Sequence, residues 1–284
     1  MIKQTTITQC VTFEGIGVHS GQKSKVELQP APDNSGIVFH KMINDECVEI
    51  IPAAIQYAKS KQLRTILTKN NQSIETVEHL LAAIVGLGID NVVIKHWGIE
   101  IPIGDGSAET WVALLQNAEI KKQNNNKRYI KILEPVIIKS IDAWCMIEPC
   151  DEYQVSYTLD YPHPLIGHQE IAYTVSADTF VKEISPAKTF GFLKDLEPLQ
   201  EQGLAQGSNI NNTLVFSDTT IVNESLIQWS NEPARHKLLD AIGDLALFGY
   251  HIQGKFTGFK SGHSLNQSLV STTLNQSHAW RLIH

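Results

Sequence analysis

The sequence predicts an α+β protein made of two similar units, and three observations carry that prediction. Alternating apolar and polar residues mark strands through the first hundred residues and again from residue 129 onward. Each run of strands leads into a stretch with helical apolar spacing, residues 76–87 and then 232–249, and another strand-like segment follows each of these. The first helix carries Leu80-Leu81-Ala82-Ala83-Ile84 and the second Leu238-Leu239-Asp240-Ala241-Ile242, an echo that a duplicated unit would explain.

Taken in order, alternation occurs at residues 24–28, 36–39 and 91–95, with Pro- and Asn-rich breaks between. Residues 76–87 (TVEHLLAAIVGL) place Val77, Leu80, Leu81 and Ile84 on one helical face, and Gly86 and Gly88 close the helix. After the loop Pro102-Ile103-Gly104-Asp105-Gly106, Ser107 can cap a second helix through Trp111, Leu114 and Leu115. Residues 121–128 (KKQNNNKR) hold no apolar side chain and predict a linker. The expected domains are therefore 1–122 and 129–284, joined by 123–128. Strands resume at 129–133, 136–139, 155–159 and 170–175. In the long helix Pro233 suits the first turn, Asn231 or Glu232 can cap it, and Gly249 marks its end before a strand at 252–259.

Composition narrows the function classes. A chain of 284 residues, 42% hydrophobic and 19% charged, matches a soluble globular protein of one large or two ordinary domains. A net charge of −7 without any basic run argues against nucleic-acid backbone binding, while leaving room for a local basic pocket around one small anion. Cys10, Cys47, Cys145 and Cys150 form no Cys-x-x-Cys pair and read as reduced thiols. The polar amino terminus and the short apolar run at 80–85 predict neither a secretory signal nor a transmembrane segment, so the expected location is cytoplasmic. Nothing fixes an oligomeric state, and a monomer is the favoured expectation.

Several segments carry side chains suited to chemistry. At 100° per residue, Leu238, Ala241, Ile242 and Leu245 form one stripe of the long helix, and His236, Asp240 and Asp244 stand opposite at i, i+4 and i+8. An imidazole and a carboxylate one turn apart can share a metal ion, and a second carboxylate can orient a neighbour. Gly243 keeps that face low enough for close approach. Glu78-His79 lies away from the apolar stripe of its own helix, and hydrolysis at Zn²⁺ needs about three protein ligands and an open position. His79, His236 and Asp240 would meet that need, with Glu78 as general base and His263 as an acid oriented by Asp244. Thr189, between Lys188 and Phe190-Gly191-Phe192, is a candidate oxyanion donor beside an apolar wall. Gly15-Ile16-Gly17-Val18-His19-Ser20-Gly21 lacks the spacing of a dinucleotide loop. Taken singly, each segment is equally well an amphipathic helix face, an exposed loop histidine, an aromatic core or a turn.

In series, the segments resemble one family closely: the zinc-dependent UDP-3-O-acyl-N-acetylglucosamine deacetylases of lipid A synthesis. The stretches that carry the resemblance are GIGVHSG (15–21), TVEHLL (76–81), GIDN (88–91), DGSA (105–108), KTFGF (188–192), HKLLDAIGD (236–244) and GFKSGHSL (258–265), covering nearly the whole chain. The resemblance implies two similar α+β domains, each a sheet packed against helices, with the active site at their interface. It implies zinc ligands at His79, His236 and Asp240, a general base at Glu78, an oxyanion-stabilising hydroxyl at Thr189, and an acid at His263 partnered by Asp244. Lys237, His19 and Lys260 match positive groups around the sugar and diphosphate. Asp160 and Tyr161 match an acidic–aromatic pair near the nucleotide, and Phe190 and Leu193 match the sugar contact and the mouth of an acyl-chain tunnel.

The pattern departs from the family at Asp142-Ala143-Trp144, where relatives often carry a lysine before the tryptophan, which puts a diphosphate contact in question. The expected activity is hydrolysis of the N-acetyl group of UDP-3-O-acyl-N-acetylglucosamine, with Zn²⁺ as cofactor and Fe²⁺ compatible with the same ligands. The alternative is a zinc amidase acting on a different acylated amino sugar.

Overall fold

The computed structural model describes residues 2–284. Its first half runs through strands β1 (Lys3–Ile7), β2 (Val11–Ile16), β3 (Lys23–Pro30), β4 (Ile37–Ile43), β5 (Glu46–Pro52), β6 (Ala58–Lys61), β7 (Arg64–Lys69) and β8 (Gln72–Glu75). Helix α1 (Glu78–Gly86), β9 (Val92–Trp97), helix α2 (Glu109–Asn117) and β10 (Ile120–Asn126) complete it. The second half begins with β11 (Tyr129–Ile132), β12 (Val136–Lys139), β13 (Trp144–Glu148), β14 (Tyr153–Tyr161) and β15 (Gly167–Thr174). A short helix α3 (Ala177–Thr179), β16 (Phe190–Phe192), α4 (Leu193–Glu201) and β17 (Leu214–Phe216) lead to α5 (Glu232–Leu245), β18 (His251–Phe259), α6 (His263–Asn275) and β19 (Trp280–Ile283).

The echo between the halves extends to their topology. The first sheet has the order β2-β3-β9-β4-β5, with β4 and β9 parallel and the other neighbours antiparallel. In the second sheet, of seven strands, β12-β13-β18-β14-β15 repeats that order with β14 and β18 as the parallel pair, and β11 and β19 extend it from β18. Each unit is thus four strands, an insertion, a helix, a fifth strand placed centrally, and a closing helix. The insertions differ: a three-stranded sheet, β6-β7-β8, in the first unit, and the parallel pair β16-β17 with α4 in the second. Alternation explains why these strands form half-buried sheets. In β3, Val26 and Leu28 turn inward and Lys25 and Glu27 do not, and in β18 Ile252 and Phe256 are buried while Lys255 is less so.

Helices α1 and α5 lie against each other between the sheets, and one apolar cluster containing Leu80, Ile84, Leu238 and Ile242 spans both halves. The polar faces of the two helices turn inward rather than to solvent. Glu78, His79, His236, Asp240 and Asp244 are all buried, because the side of each helix that does not meet its own sheet meets the other helix. Gly243 shows how close the approach is: a Cβ there would overlap the carbonyl oxygen of Glu78. The long helix ends through a 3₁₀ turn, Ala246–Phe248, at Gly249, whose φ of 80° suits a residue without a side chain.

The stretch expected to be a linker contains a paired strand. Residues Ile120–Asn126 form β10, paired antiparallel with β1, so 123–128 is no free tether. Strand β10 is largely exposed and is held by main-chain hydrogen bonds to β1, so a strand without apolar residues from 121 onward suffices. None of the described helices is long and apolar enough to cross a membrane.

Candidate active site

The amino end of α1 and the middle of α5 bring three candidate ligands together. Donor atoms of His79, His236 and Asp240 lie within 4.8 Å of one another, and both Nε2 atoms stand 3.4 Å from Asp240 Oδ1. His236 Nδ1 donates to the carbonyl of Ala187 at 3.0 Å, which fixes the tautomer and turns the Nε2 lone pair toward the cluster. Burial holds the His236 pKa down at about 3, so the ring stays neutral and ready to coordinate. Lys237 donates to Asp240 Oδ2 at 2.8 Å, occupying one carboxylate oxygen and leaving the other to the imidazoles. Burial opposes ionisation of Asp240, yet the Lys237 ammonium outweighs it and holds the carboxyl well below its ordinary range. Among the described residues none accepts a hydrogen bond from the buried Nδ1 of His79, and the ring packs edge-on against His236 at 81° and 4.9 Å. Two neutral-capable nitrogens and one ionised oxygen, with an open cavity on the fourth side, fit a catalytic metal site.

Beside the cluster, Glu78 and His263 face each other, Oε1 to Nε2, at 3.8 Å. Burial raises the Glu78 pKa to about 7, with His263 and His79 opposing the shift. Burial would lower His263, but Asp244 more than offsets it through contacts of 2.9 and 3.1 Å to Nδ1, raising its pKa to about 9. At neutral pH the pair therefore combines an acceptor poised near ionisation with a protonated donor. His263 is the first residue of α6 rather than part of an exposed loop. That helix start supplies Asn266, whose Nδ2 donates to Asp244 Oδ2 at 2.9 Å.

Thr189 is held by two main-chain bonds, its N–H to Gly106 and its carbonyl from Leu214, and its side chain lines the same cavity. The DGSA and KTFGF stretches dock here: Lys188 pairs with Asp105 at 3.1 Å, tying a loop of the first half to the second. The GIGVHSG loop does not cradle an external anion. The N–H groups of His19 and Ser20 donate to the buried carboxylate of Glu100, which also accepts from Thr76 at 2.8 Å. His19 still lines the cavity, its pKa lowered by burial.

The cavity has a volume of ≈ 590 Å³. Glu78, His79, His236, Asp240 and His263 line it, together with Lys237, Tyr161, Phe190 and Leu193. Leu196 and Leu199 of α4, with Ile210, Val215 and Val222 from the segment around β17, add an apolar arm to its lining. Lys260 and Asp160 are not among the lining residues. The Lys260 amide donates to the Thr158 carbonyl of β14, two residues before Asp160, and its ammonium pairs with Asp142 at 3.1 Å. Sequence reasoning missed Thr65, Asn266, Gln267 and Glu100, which support the site from behind. Single polar residues in a strand or helix start carry no spacing signal.

Comparison with known proteins agrees with this geometry. Residues 4–275 match the family described as UDP-3-O-acyl N-acetylglycosamine deacetylase. The chain is 42% identical over its whole length to the UDP-3-O-acyl-N-acetylglucosamine deacetylase of Thioalkalivibrio sulfidiphilus, of which 93% is covered. Against proteins of the same name it is 41% identical in Idiomarina loihiensis and 41% in Coxiella burnetii, again over the whole chain and 93% and 94% of theirs. Coverage of this extent spans both halves and every residue of the metal cluster, and the chain belongs to the UDP-3-O-acyl-N-acetylglucosamine deacetylase family.

Proposed function

We propose that this chain removes the N-acetyl group of UDP-3-O-acyl-N-acetylglucosamine, releasing acetate and the free amine, at the junction of units 1–122 and 129–284. The observation that carries the proposal is the convergence of His79, His236 and Asp240 beside the Glu78–His263 pair at one end of a cavity whose other arm is apolar. The three ligands suit Zn²⁺ and tolerate Fe²⁺. When bound, the metal supplies a Lewis acid that polarises the acetamide carbonyl and acidifies a water molecule.

The protein's own groups handle the protons. Glu78 takes one from the attacking water, which its raised pKa favours. The Thr189 hydroxyl donates to the carbonyl oxygen as that atom gains negative charge. His263 Nε2 gives a proton to the nitrogen as the C–N bond breaks, and Asp244 holds the imidazolium in place. Lys237 and His19 flank the sugar, with Phe190 against its face, and the 3-O-acyl chain enters past Leu193 into the apolar arm. Asp160, Tyr161 and Lys260 then meet the nucleotide end at the rim. Because Asp142 draws Lys260 to the hairpin tip beside Ala143, a cation stands near the place of the family lysine. A uridine diphosphate substrate and free cysteines both accord with a cytoplasmic location.

The test is an assay for free amine from UDP-3-O-acyl-N-acetylglucosamine with and without a chelator. The expected result is product that chelation abolishes and added Zn²⁺ restores. Product that chelation leaves unchanged, or no product, contradicts the proposal.

A further inference from the structure

Thr65, the second residue of β7, lies in the first unit and is fully buried. Its main chain grips the start of α1: the Thr65 N–H donates to Glu78 Oε2 at 3.2 Å, and its carbonyl accepts from the Val77 N–H at 3.4 Å. Its side chain reaches into the second unit, where Oγ1 lies 2.6 Å from Asp244 Oδ1. Gln267 Nε2 stands 2.8 Å from the same hydroxyl and can only donate, so the single hydroxyl proton is committed to Asp244.

Asp244 therefore accepts from three sides: Thr65 in the first unit, and His263 and Asn266 on α6. Neither α6 donor fixes the carboxylate relative to Glu78, because neither belongs to the unit that carries Glu78. Thr65 does, since one residue binds the base through its backbone and the acid's partner through its side chain. We propose that Thr65 is a positioning residue that sets the geometry between the base Glu78 and the acid His263 across the junction of the two units, with Gln267 orienting its hydroxyl. This rests on the acid and base assignments above, and it adds a role for a residue that touches neither substrate nor metal ligands.

The Thr65→Val variant keeps shape and main chain and removes only the hydroxyl. A hydrogen bond to a charged acceptor corresponds to roughly a 10- to 100-fold rate effect when its geometry matters only to the chemical step. The expected result is a fall of that size in kcat with KM within about twofold, and recovery to near wild type in Thr65→Ser. A second readout uses metal-depleted protein: the proton on His263 Nδ1, protected from solvent exchange in the wild type, exchanges faster in Thr65→Val and is protected again in Thr65→Ser. If Thr65→Val fails to fold, Gln267→Met removes the group that orients the hydroxyl and predicts a smaller loss, about threefold, at unchanged KM. Wild-type kcat in the folded variant, or a loss carried by KM, overturns the role of Thr65. An inactive wild type would instead overturn the underlying assignment of the reaction.

Discussion

Glu78 and His263 stand 3.8 Å apart, and burial raises the carboxylic acid while it would lower the imidazole, a lowering that Asp244 reverses at His263. Glu78 is pushed up to about 7 and His263 to about 9, so each is tuned toward its role by a different cause. Glu78→Gln keeps the shape and removes the basic oxygen. We expect kcat to fall by about 10²–10⁴ while the bound metal per chain is unchanged, measured by turnover and elemental analysis on one preparation. Asp244→Asn removes the charge that stabilises the imidazolium, so the alkaline limb of the kcat/KM profile shifts to lower pH. An unmoved limb would show that another group sets it. A stability effect follows with a definite sign. The folded value of His263 lies above its ordinary 6.5, so its contribution is complete below pH 6.5 and is lost as pH rises to about 9. Glu78 acts in the same sense between its ordinary 4.5 and about 7. The melting temperature of metal-free protein should therefore fall from pH 6.5 to 9, and fall less steeply in Asp244→Asn.

At the scale of elements, α1 and α5 were legible in the sequence from their apolar spacing, and so were the central strands β3, β9, β14 and β18 from their alternation. Their environment was not. Periodicity identifies the stripe that meets a sheet, but a polar stripe opposite it looks the same whether it faces water or a second helix carrying polar groups. The Asn- and Lys-rich stretch before residue 129 shows no strand signal for a related reason: β10 draws its hydrogen bonds from β1 and needs no apolar face. His263 reads as a loop residue because Ser261-Gly262 breaks the pattern just before α6 begins. The candidate ligands, base and acid belong to motifs that recur in fixed order, whereas Thr65 and Glu100 belong to no motif. Gly243 connects the element scale to the site. Gly243→Ala forces α5 off the Glu78 carbonyl, and overpacking of this kind costs about 1–3 kcal/mol. We expect a lower melting temperature and weaker metal binding together, since the same shift separates His79 from His236 and Asp240. Calorimetry alongside a competitive chelator titration would measure both.

At the scale of the molecule, duplication creates a site that neither unit holds alone. The first unit supplies Glu78, His79 and Thr65; the second supplies Thr189, His236, Asp240, Asp244 and His263. The five-stranded frames are alike, and the divergence lies in the insertions, which line the cavity and form its apolar arm. Substrate choice should therefore respond to the second insertion without loss of chemistry. Leu196→Trp narrows the arm, and we expect KM for a long-acyl substrate to rise about tenfold while a short-acyl substrate is spared. Equal effects on both would place the acyl chain elsewhere. The central claim is that residues from both units hold one catalytic metal, and anomalous scattering at the zinc edge from crystals of the zinc-loaded protein tests it most directly. The account predicts one peak per chain within bonding distance of His79, His236 and Asp240, absent in His79→Ala. A peak outside this cluster, or one that persists undiminished in that variant, would contradict it.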